Sequence, residues 1–211
     1  MTQVTLRATL SDKSAARRRQ VEDIVAVAFE TELGWMALAH RGEMLAGVVF
    51  GHASKRQAME SLRQKLGCGD VAPAIVDFLD FEELAESMIG VVERLRAYAA
   101  GEQVDLSDVR VDERHLTDFG RRIVRACRRI PRGTTRSYGQ LAADCGSPGA
   151  ARAVGQVMAK NRYPLIVPCH RVLAAGGLLG GFSAPQGLAM KRRLLMLEDE
   201  TLYARRRLIN T

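Results

Sequence analysis

The chain has 211 residues, is 47% hydrophobic and carries a net charge of +7 with a pI of about 9.6; this supports a packed core in one large domain or two small ones, and fits either a polyanion partner or a mildly basic soluble enzyme. Its cysteines, Cys68, Cys127, Cys145 and Cys169, are scattered without a CxxC pair or a histidine at zinc-ligand spacing, so neither a disulfide scaffold nor a metal site is expected. Residues 1–20 lack the apolar stretch of a secretory signal and no run is long enough to span a bilayer, which points to a reducing cytoplasm, or a nucleus if the cell is eukaryotic, and to no membrane association.

Residues 1–20 are polar and basic and read as an N-terminal extension, an edge strand or a partly ordered tail. From 21 to 51, IVAVAFET, WMALAH and MLAGVVFG are separated by Gly34 and by Arg41-Gly42-Glu43, the pattern of an antiparallel meander. Residues 54–66 read as a helix capped by Ser54, with Ala58, Met59, Leu62 and Leu66 as its apolar stripe and Gly67 at its end. Residues 70–80 are mixed. A longer helix is expected over 81–99, where Leu84, Met88, Val91, Val92 and Leu95 recur at helical spacing and Gly101 stops the run. The charged stretch that follows marks the domain boundary. The resulting division is an extension over 1–20, a first domain over 21–105, a connector over 106–115, a second domain over 116–200 and a tail over 201–211.

Residues 116–130 read as a helix with Phe119, Ile123, Cys127 and Ile130 on one face. Arg121, Arg122, Arg125, Arg128, Arg129, Arg132 and Arg136 crowd the stretch 119–136, which contains no acid. A solvated helix face usually mixes signs, so contact with phosphates is the better reading of this run. Next come a short helix over 137–144 opened by the cap Ser137, a turn at Gly146-Ser147-Pro148-Gly149, and a second helix over 150–160 rich in small residues. Helix, Gly-bearing turn, helix is the helix-turn-helix pattern, though tight helix packing gives the same spacing.

The chemistry centres on residues 161–171, NRYPLIVPCHR. Leu165-Ile166-Val167 reads as a buried strand ended by Pro168, which would hold Cys169 at a rigid strand end beside His170. A cysteine after an apolar run is most often core filling, and adjacent side chains on extended chain point apart. Against that, a thiolate is a strong nucleophile and a nearby imidazole helps to make one.

From 130 to 198 the segment IPRGTTRSYGQLAADCGSPGAARAVGQVMAKNRYPLIVPCHRVLAAGGLLGGFSAPQGLAMKRRLLMLE resembles the O6-alkylguanine-DNA alkyltransferases, also called methylated-DNA–protein-cysteine methyltransferases, nearly throughout. The motifs that carry the resemblance are RSYGQLA, AARAVG, Asn161, PCHR and the GG-F-S turn. In the first half it is confined mainly to WMALAHRGEMLAGVVF and the helix ending in AYAAG. The resemblance implies an α+β protein: an N-terminal ribonuclease-H-like α/β domain with an antiparallel sheet, and a C-terminal, mainly helical, winged helix-turn-helix-like alkyltransferase domain. Several members hold zinc in the first domain, but the thiol and imidazole ligands for it are missing from this sequence.

The implied function is direct reversal of DNA damage, with stoichiometric and irreversible transfer of an alkyl group from O6-alkylguanine in duplex DNA, and O4-alkylthymine as a further candidate, to Cys169. The implied catalytic set is Cys169 as nucleophile, His170 as proton acceptor through a water, Glu198 orienting His170, Asn161 bracing the loop and Tyr138 as donor to the leaving guanine. Tyr138 also suits a plain capping role beside Ser137. Arg152 would fill the gap left by the flipped base. Ala151 and Ser137 belong to the same DNA-reading surface, and Met158, Val172, Phe182 and Ser183 to the base pocket. Ser183 N–H would face O6, and the Cys169 and Val172 carbonyls the guanine amino group. Departures from the family pattern are Gln156 for a second Gly, Phe182 for a Tyr, and the longer Ala184-Pro185-Gln186-Gly187 turn. No cofactor is implied, and the partner is lesion-bearing double-stranded DNA met by a monomer. The alternatives are a non-catalytic alkyltransferase-like lesion-binding protein, a methylation-sensing regulator, and a thiol hydrolase that turns over esters.

Overall fold

Small residues and tight turns bring the first strands together. The computed structural model describes residues 24–67, 76–78, 84 and 86–199; the N-terminal extension and the tail over 201–211 lie outside the described residues. Strands β1 (Ile24–Phe29), β2 (Trp35–Arg41) and β3 (Met44–His52) form the expected antiparallel meander, with Val27 opposite Leu38 and Leu38 opposite Val48. Gly34 turns β1 into β2 at φ 93°, and a Cβ there would lie 2.8 Å from the His52 carbonyl, so only glycine fits. Strand β4 (Val76–Phe78) comes from the stretch that sequence patterning left unassigned. It pairs parallel with β1 and completes the order β3-β2-β1-β4.

Helix α1 (Lys55–Leu66) begins at the expected cap, Ser54, whose hydroxyl accepts from the Gln57 amide, and ends at Gly67 in the left-handed region. Its buried Ala58, Leu62 and Leu66 pack on Ala26, Ala37, Ala39 and Ala46 of the sheet, where methyl-sized side chains allow close approach. The other face of the sheet carries Val27, Phe29, Leu38, Leu45, Val48 and Phe50. Helix α2 (Glu86–Ala99) covers it with Met88, Val91, Val92, Leu95 and Tyr98, and the same core continues through Ile123, Leu141, Val154, Cys169 and Leu194 of the second half.

The connector is tied to the sheet. Leu45 N–H donates to the Arg110 carbonyl and Asp112 N–H to the Leu45 carbonyl, both at 2.8 Å. Helix α3 (Asp118–Arg128) is capped by Thr117 and buries Ile123, Val124 and Cys127. The arginine run differs from the phosphate-facing stripe expected of it. Arg121 and Arg125 pair with Asp118 and Glu113, acids just upstream of the run. Arg128 donates to the Leu106, Ser107 and Val109 carbonyls, and Arg132 to those of Gly101, Glu102 and Leu197. Arg128 and Arg132 therefore staple the second half to the segment between Gly101 and Val109.

Helices α4 (Tyr138–Asp144) and α5 (Ala151–Ala159) form where the two short helices are expected. A two-residue strand β5 (Arg136–Ser137) pairs parallel with β6 (Val172–Leu173), joining the start of α4 to the chain just past Cys169. Helix α6 (Leu188–Glu198) closes the described chain. No helix among the described residues is long and apolar enough to cross a membrane.

The run Leu165-Ile166-Val167 is buried as expected but is not a strand. It forms a turn in which Leu165 has φ 75° and Val167 N–H returns to the Tyr163 carbonyl at 2.7 Å. Pro164 and Pro168 remove donors on both sides, so no ladder can run through it. The Asn161 side chain fills the turn instead, donating to the Val167 carbonyl and accepting from Tyr163 N–H, each at 2.9 Å. Tyr163, buried, donates its hydroxyl to the Asp112 carbonyl and so ties the turn to the connector. Tyr163→Phe removes that bond while His115 Nδ1 stays 3.1 Å from the same carbonyl, and should cost about 1 kcal/mol in denaturant unfolding; an unchanged midpoint would mean the tie contributes nothing to stability.

Candidate active site

Cys169 is the first residue of a 3₁₀ turn, Cys169–Arg171, that starts at Pro168. Cys169 N–H donates to the Val167 carbonyl at 2.7 Å and Arg171 N–H to the Pro168 carbonyl at 2.9 Å. The tight turn sends successive side chains in different directions. Cys169 lines an open cavity of about 530 Å³, while His170 points into the protein and is fully buried.

Of the residues singled out from sequence, Tyr138, Ala151, Arg152, Met158, Phe182 and Ser183 line this cavity together with Cys169. Gly155, Ala159 and Gly181 complete its wall, small residues that leave the space open. Tyr138 stands at the first position of α4, and its ring lies so close to Gly180 that a Cβ there would be 3.0 Å from it. Arg152, in the first turn of α5, is exposed at the cavity. Ser137 and Val172 do not line it. Ser137 is spent on a capping box, accepting from Gln140 N–H at 3.0 Å while Gln140 Oε1 accepts from Ser137 N–H at 2.7 Å. The Val172 carbonyl accepts from Lys191 Nζ at 2.7 Å.

Behind the thiol lies a buried polar cluster. His170 Nε2 is 2.8 Å from Glu198 Oε1, and both side chains are 1% exposed. Arg171 clasps the same carboxylate, with Nε 2.9 Å from Oε2 and an η nitrogen 2.7 Å from Oε1, and its other η nitrogen donates to the Ile130 carbonyl at 2.6 Å. Tyr98 O–H donates to Glu198 Oε1 at 2.6 Å. Burial alone would raise the Glu198 pKa, but the His170 and Arg171 hydrogen bonds and the Arg171 charge hold it well below the usual carboxylate range. Burial pushes His170 below its ordinary value against the pull of Glu198, so the resting pair is a neutral imidazole and a carboxylate. The carboxylate at Nε2 selects the Nε2–H tautomer, and the buried Nδ1 has no hydrogen-bond partner among the described residues.

Burial pushes the Cys169 thiol up as well. A hydrogen bond with the Asn161 side chain and the Lys191 and Lys65 ammonium groups oppose that rise. Lys191 is wholly buried, 5.9 Å from the ring centroids of both Tyr138 and Phe182. Lys65, from α1, donates to the Asn161 carbonyl at 3.1 Å. Phe182 packs edge-on against Phe50, with centroids 6.3 Å apart, and Gln186 Nε2 donates to the Gly51 carbonyl at 2.8 Å, so strand β3 holds the far wall of the cavity.

Sequence reasoning missed Lys191, Lys65, Arg171 and Tyr98. Lys191 sits between Met190 and Leu194 on the buried face of α6, a placement that marks a lysine as engaged. Arg171 stood inside the PCHR motif, and Tyr98 extends the Val91–Leu95 stripe and reads as core. Among the described residues no three or more His, Cys, Asp and Glu side chains gather as a metal ion would require.

A thiol on the wall of an open cavity, next to an imidazole–carboxylate pair and near the buried Lys191 and half-buried Lys65, is an arrangement suited to a cysteine nucleophile. Residues 118–200 match the model of the 6-O-methylguanine DNA methyltransferase DNA binding domain. A methylated-DNA–protein-cysteine methyltransferase of Mycolicibacterium paratuberculosis is 47% identical over 116 residues, 55% of this chain and 68% of that protein. The protein of the same name from Mycobacterium bovis is 50% identical over 109 residues, 52% of this chain and 64% of that one. The crystal structure of Mycobacterium tuberculosis OGT in complex with DNA superposes with a TM-score of 0.64 at 34% identity, covering 83% of this chain and 93% of that one. The chain belongs to the methylated-DNA–protein-cysteine methyltransferase family.

Lys191→Met removes a cation beside the thiol and leaves the Val172 carbonyl without its donor. Alkylation of Cys169 by iodoacetamide at neutral pH, followed by peptide mass, should slow several-fold, with a stability loss of about 1–3 kcal/mol.

Proposed function

We infer that this chain repairs DNA by direct reversal, moving the alkyl group of O6-alkylguanine in duplex DNA to Cys169, once per protein molecule. The observation that carries the reading is the placement of Cys169 on the cavity wall, followed in the same turn by the buried His170 whose Nε2 is 2.8 Å from Glu198 Oε1.

In this mechanism His170 Nδ1 takes the thiol proton through a water. Cys169 Sγ attacks the alkyl carbon, the S–C bond forms as the C–O6 bond breaks, and the electron pair leaves on guanine. Tyr138 O–H, across the cavity, donates to a ring nitrogen of the departing base. Burial raises the Tyr138 pKa, as do the nearby Cys169 and Cys127, so the phenol keeps its proton until the base needs it. Glu198 ionised beside His170 stabilises the imidazolium, the arrangement of a triad hydrolase without the hydrolytic step. The thioether product has no group to reverse it.

Chemistry on a base requires the base to leave the stack. Helix α5 supports that step with Arg152 exposed at its start and small Ala151 and Gly155 facing the cavity. Met158 and Phe182 wall the flipped base, Ser183 N–H serves O6, and Asn161 braces the loop under the thiol. The Cys169 and Val172 carbonyls, already bonded to Val172 N–H and Lys191, keep a second lone pair for the guanine amino group. In this reading the first sheet is the ribonuclease-H-like unit, α4 and α5 are the helix-turn-helix, and the β5–β6 pair takes the place of a wing. In the same reading the protein works as a monomer, and the free thiols of Cys127, Cys145 and Cys169 suit a reducing cytoplasm.

The direct test is intact-protein mass after incubation with duplex DNA carrying one O6-methylguanine. A single methyl gain mapped to Cys169, absent in Cys169→Ser while lesion binding persists, is the expected result. Tight lesion binding with unchanged mass would make the protein a non-catalytic reader. Arg152→Ala should slow repair in duplex DNA at least tenfold more than reaction with free O6-benzylguanine, since only the duplex needs a base replaced. Equal losses would remove the gap-filling role.

A further inference from the structure

The polar cluster behind Cys169 has a member that comes from the other half of the chain. Tyr98 stands near the end of α2, is 2% exposed, and places its hydroxyl 2.6 Å from Glu198 Oε1 and 3.3 Å from His170 Nε2. The Arg132 guanidinium lies 5.5 Å from its ring centroid and is itself fixed by three backbone carbonyls, so the phenol is held in place. The short contact is the one to the carboxylate. The phenol proton therefore goes to Glu198, and a phenol lone pair is left facing Nε2–H of His170.

We propose that Tyr98 is a positioning residue for alkyl transfer, holding Glu198 and the Nε2 edge of His170 so that Nδ1 remains the bare, proton-accepting nitrogen. The proposal rests on the transfer reading above and gives α2 of the N-terminal half a direct part in it. A carboxylate that accepts from a phenol has less charge to share with imidazolium. Tyr98 thus keeps His170 neutral, and able to take the thiol proton, to lower pH. The groups acting on His170 are Glu198 and Lys191 from α6, Arg171 from its own turn, and Tyr98 from α2. Arg171 and Lys191 also disfavour imidazolium, and they stay in place when Tyr98 changes. Tyr98 itself does not ionise in the working range, because burial and the Glu198 charge raise its pKa well above that of a free phenol.

The test is the pH profile of single-turnover transfer from O6-methylguanine duplex to the full chain, read as methylated Cys169, with His170 followed by NMR titration. In Tyr98→Phe the acidic limb and the His170 titration should both move to higher pH by about half a unit to one unit, while the alkaline plateau rate changes less than threefold. Replacing Tyr98 by 3-fluorotyrosine, a stronger donor of nearly the same size, should move both the other way, and this second variant stands if Tyr98→Phe fails to fold. A rate lowered equally at every pH with His170 titrating as in the parent would reduce Tyr98 to packing, and unchanged profiles in both variants would remove it from the site. The NMR titration does not depend on transfer, and absence of methyl gain in the parent would count against the transfer reading alone.

Discussion

One buried carboxylate organises the end of this protein that carries Cys169. Glu198 is 1% exposed and ionised, a state that costs several kcal/mol unless donors surround it. Arg171, His170 and Tyr98 supply them from two segments of the chain, and Arg171 also reaches the Ile130 carbonyl beyond the end of α3. The last turn of α6, the Cys169–Arg171 turn, α2 and the exit of α3 are thereby fixed around one pair of oxygens. The proposed chemistry and the packing of the two halves draw on the same bonds, so the tautomer of His170 is set by the contacts that hold the fold.

The N-terminal half is closer to the chemistry than its sequence resemblance implies. Its sheet carries no nucleophile, yet α1 brings Lys65 to the Asn161 loop, α2 brings Tyr98 to the carboxylate, and β3 supports Phe182 and Gln186. Arg128 and Arg132 of the second half return the contact by bonding carbonyls between Gly101 and Val109. The apolar core runs through both halves without interruption.

Much of this was legible in the sequence because the signals were local. The meander, the Ser54 and Ser137 caps, the two short helices and the cavity residues follow from period, turn chemistry and an ordered motif. What was not legible depended on partners distant in sequence. The arginine-rich stretch looked like a phosphate stripe because Glu113 and Asp118 lie just outside it and its carbonyl acceptors carry no sequence signal. Leu165-Ile166-Val167 looked like a strand because burial was clear, whereas the Asn161 side chain that curls it into a turn acts through backbone atoms. Ser137 and Val172 stand outside the cavity lining, the hydroxyl of one engaged by its own helix and the carbonyl of the other already accepting from Lys191, a contact that no sequence pattern marks.

The link between Gln186 and Gly51 has a consequence for how the cavity wall is held. Gly51 has φ 80°, which favours glycine, and a Cβ there would lie 2.8 Å from Gln186 Oε1 and 3.0 Å from Met190 Cε, so those two side-chain ends would have to move aside. A side chain at Gly51 would displace the Gln186 carboxamide and loosen the bond that ties β3 to the segment following Phe182 and Ser183. A position in the first sheet, far from Cys169 in sequence, thus helps to set how firmly one wall of the cavity is anchored.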